Sequence, residues 1–147
     1  MIDELDQKII RAMNQNARKS YREIAKELGT STTAVIHAVK KLESAGAIKG
    51  YIPVIDPEYF GFSLLAIIAL RISQGKLLET QKKIARDPQV TAVYDITGEW
   101  DSLVIAYFKG RDELNKFLKD LNAMRFIDRT VTHLVLNTVK EEHRLFV

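Results

Sequence analysis

Along the first third of the chain, apolar positions recur every three or four residues, the spacing of helices with one buried face. Leu5, Ile9, Ala12 and Met13 form the first such face. Asp3 and Asp6 at its start favour a helix N-terminus, where acids meet the positive end of the dipole. A polar connector, residues 14–19, follows. Ser20 with Glu23 three positions on predicts a capping box, ahead of a short helix carrying Ile24, Ala25 and Leu28 and ended by Gly29. Ser31 is placed to cap a third helix, with a stripe of Val35, Ala38, Val39, Leu42 and Ala45. Thr33, Ile36, His37, Lys40 and Ser44 fall on its opposite side, and Gly46 is placed to end it. "AIKGYIPVID", 47–56, alternates enough to predict a strand.

The period then changes. "DPEYFG", 56–61, with a proline and a glycine close together, reads as a junction. Beyond it "FSLLAIIALRIS" is a β-type run, and "GKLLETQKKIARDP" places Leu77, Leu78, Gln81, Ile84 and Ala85 on one helical face. "VTAVYDIT" alternates, with Val90, Ala92, Tyr94 and Ile96 on one side. "SLVIAYFKG" is another strand, "RDELNKFLKDLNAM" a helix burying Leu114, Phe117, Leu118 and Leu121, and "RTVTHLVLNTVKEE" a final strand. The order βαββαβ is that of a split βαβ unit. The expected class is therefore α+β: an N-terminal helix-turn-helix (winged-helix-like) domain plus a C-terminal ferredoxin-like βαββαβ domain. The expected boundaries are 1–50, a strand and hinge at 51–61, and 62–147.

Two strands of the second domain are apolar on both faces. Residues 62–72 are apolar at odd and even positions apart from Ser63 and Arg71, and 103–108 are apolar throughout. Helices cover only one face of such a sheet, and a strand apolar on both expects burial on both. A second copy of the chain is the simplest cover, so a homodimer is expected.

Composition narrows the function. The chain is 46% hydrophobic and 28% charged, the balance of a globular protein. No apolar run approaches the roughly 20 residues that span a bilayer, and "MIDELDQKII" is too acidic for a signal peptide, so a cytoplasmic protein without membrane contact is expected. Cysteine is absent, which removes disulfides and thiol chemistry. His37, His133 and His143 lack metal-ligand spacing, and no cofactor is expected.

Net charge is only +3, but it is unevenly placed. Between Lys8 and Lys49 there are nine Lys/Arg and three acids, an excess of six; from Pro57 onward the excess is one. A basic patch confined to a helical trio suits double-stranded DNA. Two short helices joined by a Gly-containing turn make a helix-turn-helix, whose second helix enters the major groove. The candidate DNA-contacting residues are Ser31, Thr32, Thr33, Ile36, His37, Lys40 and Lys41. The plainer alternative is a helical scaffold with a solvated outer face.

Motif order and spacing resemble the Lrp/AsnC (feast/famine) family of transcription regulators over nearly the whole chain. "LDQKII", "SYREIAKELGTS", "VKKLESAGAIKGY", "TGEWDSLV" and "THLVLNTVKE" stand where that family places its equivalents. The resemblance implies DNA binding by the first domain, and effector binding and assembly by the second. It also implies dimers, typically assembling to octamers, and an amino acid as the usual effector. One departure stands out: family members often carry arginines near Ile36, His37 and Ala38, whereas this helix keeps only Lys40 and Lys41 as full charges. That implies a different operator, or more reliance on phosphate contacts and DNA shape.

By the same resemblance, Gly98, Glu99, Trp100 and Asp101 form the effector loop. Asp101 would accept from the ligand ammonium, backbone N–H groups near Gly98 would hold its carboxylate, and Trp100 would exclude water. Glu99 would select a basic side chain or stand solvated. Thr132, His133 and Leu134 would come from a neighbouring subunit. The plainer alternative has Trp100 filling an interface and Asp101 capping a turn. Two other functions stay in competition: an architectural DNA-binding protein with little specificity, and an enzyme of similar build such as a sirohaem decarboxylase. For the latter, His133 and the arginines form no evident constellation.

Overall fold

A computed structural model describes residues 2–73 and 75–147. The chain divides into two units, Met1–Val54 with Lys140–Val147, and Ile55–Val139.

The first unit holds α1 (Glu4–Gln15), α2 (Tyr21–Leu28) and α3 (Thr32–Ser44). Local chemistry starts each helix. Asp3 Oδ1 accepts from the Asp6 N–H and Asp6 Oδ2 accepts from the Asp3 N–H, both at 2.9 Å. Ser20 and Glu23 exchange the same pair of bonds at α2, and Ser31 Oγ accepts from the Ala34 N–H at α3. Gly29, at φ +65°, turns the chain out of α2 in a conformation that L-residues rarely adopt. The three faces meet in a core of Ile9, Ala12, Ile24, Ala25, Val35, Ala38 and Val39. Leu42 is buried too, while Ala45, expected in the same stripe, lies past the end of α3 and is exposed. A buried charge ties α1 to α3: Asp6 is fully buried, and its Oδ2 takes the Lys41 ammonium at 2.6 Å. The same ammonium reaches Asp3 at 2.9 Å.

The strand expected at 47–56 does not form. Residues 49–56 carry no strand pairing, and Tyr51, Ile52, Val54 and Ile55 are exposed. Alternation supplies a suitable side-chain pattern, but a strand also needs a neighbour for its N–H and C=O groups. The wing of a winged helix is therefore missing among the described residues.

The second unit is β1 (Leu64–Ile72), α4 (Leu77–Ile84), β2 (Val90–Asp95), β3 (Ser102–Phe108), α5 (Arg111–Asn122) and β4 (Ile127–Leu134). The strands form a sheet of order β2-β3-β1-β4, every neighbouring pair antiparallel. One face packs on the helices: Ala66, Ile68, Leu70, Ile72, Val104, Ala106 and Phe108 against Ile84 of α4 and Leu114, Phe117 and Leu121 of α5. Leu65, Ile67, Leu103, Ile105 and Tyr107 point to the open face and are half-buried.

Three expectations for this unit need correction. In α4 the buried face is Thr80, Gln81 and Ile84 with half-buried Leu77, while Leu78 and Ala85 are exposed. Gln81 is buried because its amide donates to Ser102 Oγ at 3.2 Å, and that hydroxyl donates to the Tyr94 carbonyl at 2.9 Å. In β2 the register shifts between Val90 and Ala92, a bulge that flips the side-chain parity. Val90 and Val93 therefore meet the core, and Tyr94 is exposed. The final strand ends at Leu134 rather than near 142. β1 begins at Leu64, so beyond Val135, which donates to the Leu65 carbonyl, no strand remains to pair with. Residues 140–147 belong to the first unit, where Asn14 of α1 donates to the Leu145 carbonyl.

The capping boxes should make the protein acid-sensitive. Asp3 is held below its ordinary value of 3.8, chiefly by the Asp6 N–H and then by Lys41. Glu23 is held below its ordinary 4.5 by the Ser20 N–H and hydroxyl. Both values are depressed in the folded state, so their stabilisation is in place above the ordinary values and lost as pH falls through the folded ones. The thermal midpoint at 222 nm should hold from pH 7 to 5 and fall below about pH 4. Asp3→Asn should blunt the fall, and an identical pH profile in that variant would contradict the assignment. Ser20→Ala should cost about 1 kcal/mol.

Candidate functional site

Two candidate sites emerge, one in each unit. In the first, α3 emerges from the turn after Gly29 with Ser31 as its cap, so Thr32 and Thr33 stand exposed in its first turn. Val35, Ala38, Val39 and Leu42 hold the helix against the core. That leaves Thr33, His37 and Lys40 as an exposed line at helical spacing, with Ile36 half-buried beside it. The line is short and polar at the helix start and cationic about two turns later, and the unpaired N–H groups of the first turn add positive potential.

Lys41 is not part of that line. Its ammonium is fixed on Asp6 and Asp3, whose hydrogen bonds raise it above its ordinary 10.5. Sequence charge alone grouped it with Lys40; a buried carboxylate on α1 separates them. The same test sorts the other cations. Lys8 pairs with Glu4, Lys19 with Glu27, and Arg11 donates to the Val147 backbone oxygen. Among the described residues, Arg18, Arg22, Lys26, Lys40 and Lys49 have no ion pair, and all five are exposed. Sequence reasoning counted Arg18, Arg22 and Lys26 only in bulk.

The second site is the β2–β3 loop, 96–101. The Ile96 N–H donates to the Asp101 carbonyl at 3.1 Å and closes it. Gly98 sits at φ +107°, where a Cβ would meet no atom within 4 Å but the backbone itself would be strained. Asp101 is anchored twice to β1. Its N–H donates to the Leu70 carbonyl at 2.9 Å, and its Oδ2 accepts from the Ile72 N–H at 2.8 Å. The side chain thus extends the β3 ladder just past the last paired residue of that strand, Ser102. One oxygen of Asp101 thus caps the strand end, and no hydrogen bond to Oδ1 is seen among the described residues.

Trp100 is half-buried, with the Arg129 guanidinium 5.1 Å from its ring centroid. Glu99 lies 3.9 Å from the same arginine. Arg129 was not singled out in the sequence; its link to the loop arises from strand pairing. Thr132, His133 and Leu134 are not gathered at this loop within the chain. They pair with Ile68, Ile67 and Ala66, whereas the loop abuts Leu70 and Ile72. That is about 10–15 Å farther along the sheet at the rise of a strand. They also alternate: Thr132 and Leu134 lie on the helix-covered face and His133 on the open one. No cluster of three or more possible metal ligands occurs among the described residues.

Comparison with known proteins finds two family models along the chain. Residues 2–43 match the family model of the AsnC-type helix-turn-helix domain, and residues 65–145 that of the Lrp/AsnC ligand binding domain. The chain is 43% identical over 145 residues to an HTH-type transcriptional regulator of Pyrococcus abyssi, covering 99% of each. The solved structure of E. coli AsnC matches with TM-score 0.89 at 27% identity, covering 97% of each chain. A transcriptional regulator of Neisseria meningitidis, solved as its complex with L-Met, matches with TM-score 0.89 at 25% identity, covering 99% of this chain and 96% of that one.

The double anchoring of Asp101 has a measurable consequence. Asp101→Ala leaves the Ile72 N–H without its acceptor, at a cost of about 1–3 kcal/mol. Asp101→Asn keeps a carbonyl acceptor and should cost less. Hydrogen exchange at the Ile72 amide should accelerate in the alanine variant; unchanged protection would show that the bond is not formed in solution.

Proposed function

Because the chain belongs to the Lrp/AsnC family of transcription regulators, we propose that it binds specific DNA through α3 and answers to an amino-acid effector held at the 98–101 loop. The observation that carries the DNA half is the exposed Thr33, His37 and Lys40 line, flanked by cations without internal partners. Thr32, Thr33, Ile36, His37 and Lys40 would face base edges, and Ser31 would hold the helix start. Arg18, Arg22, Lys26 and Lys49 would take phosphates, which compensates for the missing arginines on α3. Lys41 supports α3 through Asp6 and makes no contact of its own.

The domain roles follow. Residues 1–50 form the DNA-binding head, 51–61 a hinge whose extended part gains strand pairing only from a second copy, and 62–147 the effector and assembly domain, with its last eight residues packed in the first unit. The half-buried apolar residues of the open sheet face favour a homodimer, and dimers would assemble further, to an octamer in the family pattern. Thr132, His133 and Leu134 would serve the loop from a neighbouring copy. The complex of the Neisseria regulator with L-Met supports an amino acid as effector. Asp101 Oδ1 would accept from its ammonium, and N–H groups near Gly98 would hold its carboxylate. Effector control requires different affinity for two assemblies. The role is regulatory rather than catalytic, in keeping with relatives named as transcriptional regulators. No helix among the described residues is long and apolar enough to cross a membrane, and a cytoplasmic site of action completes the proposal.

Footprinting on the upstream region of its own coding sequence, with and without amino acids, tests the DNA half. A protected, sequence-dependent site is expected. Arg22→Ala should weaken binding alike on all sequences and lower the salt slope by roughly one, whereas His37→Ala should relax preference at one or two base pairs. Binding that never exceeds nonspecific affinity at moderate salt would sink the proposal. For the effector half, at least one amino acid should raise the thermal midpoint of the wild type and not of Asp101→Ala.

A further inference from the structure

The loop end of the open sheet face carries a charge arrangement that the fold alone does not need. Arg71 of β1 and Arg129 of β4 are directly opposed in the antiparallel register. Opposed side chains stand about 5 Å apart at Cβ, and like charges so placed destabilise a sheet. Little within the chain offsets this. Arg71 has no ion pair among the described residues. Arg129 has only Glu99, at 3.9 Å, with both side chains nearly two-thirds exposed, a pair of small worth.

The other nearby carboxylates each have one oxygen engaged elsewhere. Just past Arg71 the register with β4 shifts, and Asp128 is the extra residue. Its Oδ1 accepts from the Ser73 hydroxyl at 2.7 Å. Asp101 Oδ2 is bound to the Ile72 N–H. Arg129 is also held in place, its guanidinium 5.1 Å from the Trp100 ring centroid within the proposed effector loop. The result is two guanidinium groups, one braced by an aromatic wall and one without an ion pair, and among the described residues only Glu99 lies within ion-pair distance of either. Guanidinium forks match a carboxylate in shape as well as charge.

We propose that the effector is an acidic amino acid, its side-chain carboxylate held between Arg71 and Arg129 while its ammonium meets Asp101. This rests on reading 98–101 as the effector loop. Of the two expectations for Glu99, selecting a basic side chain or standing solvated, it sets aside the first, since that carboxylate lies 3.9 Å from Arg129. A second copy supplying an acid to the same two arginines is the competing occupant.

Isothermal titration of the full-length protein at low ionic strength separates these outcomes, using L-glutamate and L-aspartate against L-glutamine and L-asparagine. The acid should bind about tenfold more tightly than its amide, and added salt should shrink the gap. Arg71→Gln should bring the acid to the affinity of the amide and leave the amide unchanged. Its thermal midpoint should equal or exceed that of the wild type, since a repulsion is removed. Glu99→Gln should tighten the acid. Amides, or neutral amino acids such as L-methionine, binding as well as the acids would overturn the proposal while leaving the loop as the effector site. A change of oligomeric state in Arg71→Gln, without any acid preference in the wild type, would assign the arginines to the second copy and overturn it as well. If none of these amino acids binds, the effector loop falls with it. Loss of acid and amide together in Asp101→Asn, beside loss of the preference alone in Arg71→Gln, would uphold both.

Discussion

A strand that is apolar on both sides has to be covered on both, and β1 is that strand here. It is an inner strand of the sheet, paired with β3 on one side and β4 on the other. Ala66, Ile68, Leu70 and Ile72 fill the helix-covered core, while Leu65 and Ile67 join Leu103, Ile105 and Tyr107 on the open face. The candidate effector site inherits its position from the same strand. Asp101 is anchored to Leu70 and Ile72, and the opposed arginines sit where β1 parts register from β4. Core, open face and loop are thus three consequences of one apolar segment whose alternate residues face opposite ways.

The first unit is organised by a charge rather than by a strand. Asp6 is buried, so its carboxylate needs partners. The Asp3 N–H and the Lys41 ammonium share its Oδ2. The Lys41 ammonium is thereby engaged by carboxylates although its side chain stays exposed, while Thr33, His37 and Lys40 have no such partner among the described residues. In the proposed DNA complex this leaves base reading to small and neutral groups and charge neutralisation to flanking residues of α2 and the connectors. Such a division makes affinity depend on salt and specificity on few contacts.

In the proposed regulator, assembly and regulation are linked through the parts that a single chain leaves unfinished. The extended residues 49–56 lack a pairing strand, the open sheet face is only half-covered, and Arg71 and Arg129 face each other with one weak counter-charge. In the proposed regulator each is completed by a different partner: a second copy for the segment and the face, and an anionic ligand for the arginines. A ligand that removes a repulsion at the end of the sheet would favour whichever assembly leaves that end accessible.

Much of the fold was legible because it is set by residues close together in the chain. The capping boxes at Asp3 and Ser20, the exit of α2 at Gly29, the apolar faces of α1, α2 and α5, and the order βαββαβ all depend on spacings of a few residues, which composition and periodicity record directly. The features that were not legible depend on what lies nearby in space. Thr80 rather than Leu78 is buried because of where α4 lands on the sheet. Val93 rather than Tyr94 meets the core because a bulge against β3 changes parity. Lys41 parts from Lys40 because Asp6 stands beside it, 35 residues earlier in the chain. Asp101 gives one carboxylate oxygen to the Ile72 N–H because β1 ends there, and Arg129 joins Trp100 through pairing between β1 and β4. The sequence by itself determined the three helices of the first unit, the order of helices and strands in the second, and the apolar faces of α1, α2 and α5. Only the tertiary structure decided which charges are already satisfied, because an ion pair depends on distance and burial, and neither is written in the spacing of residues along the chain.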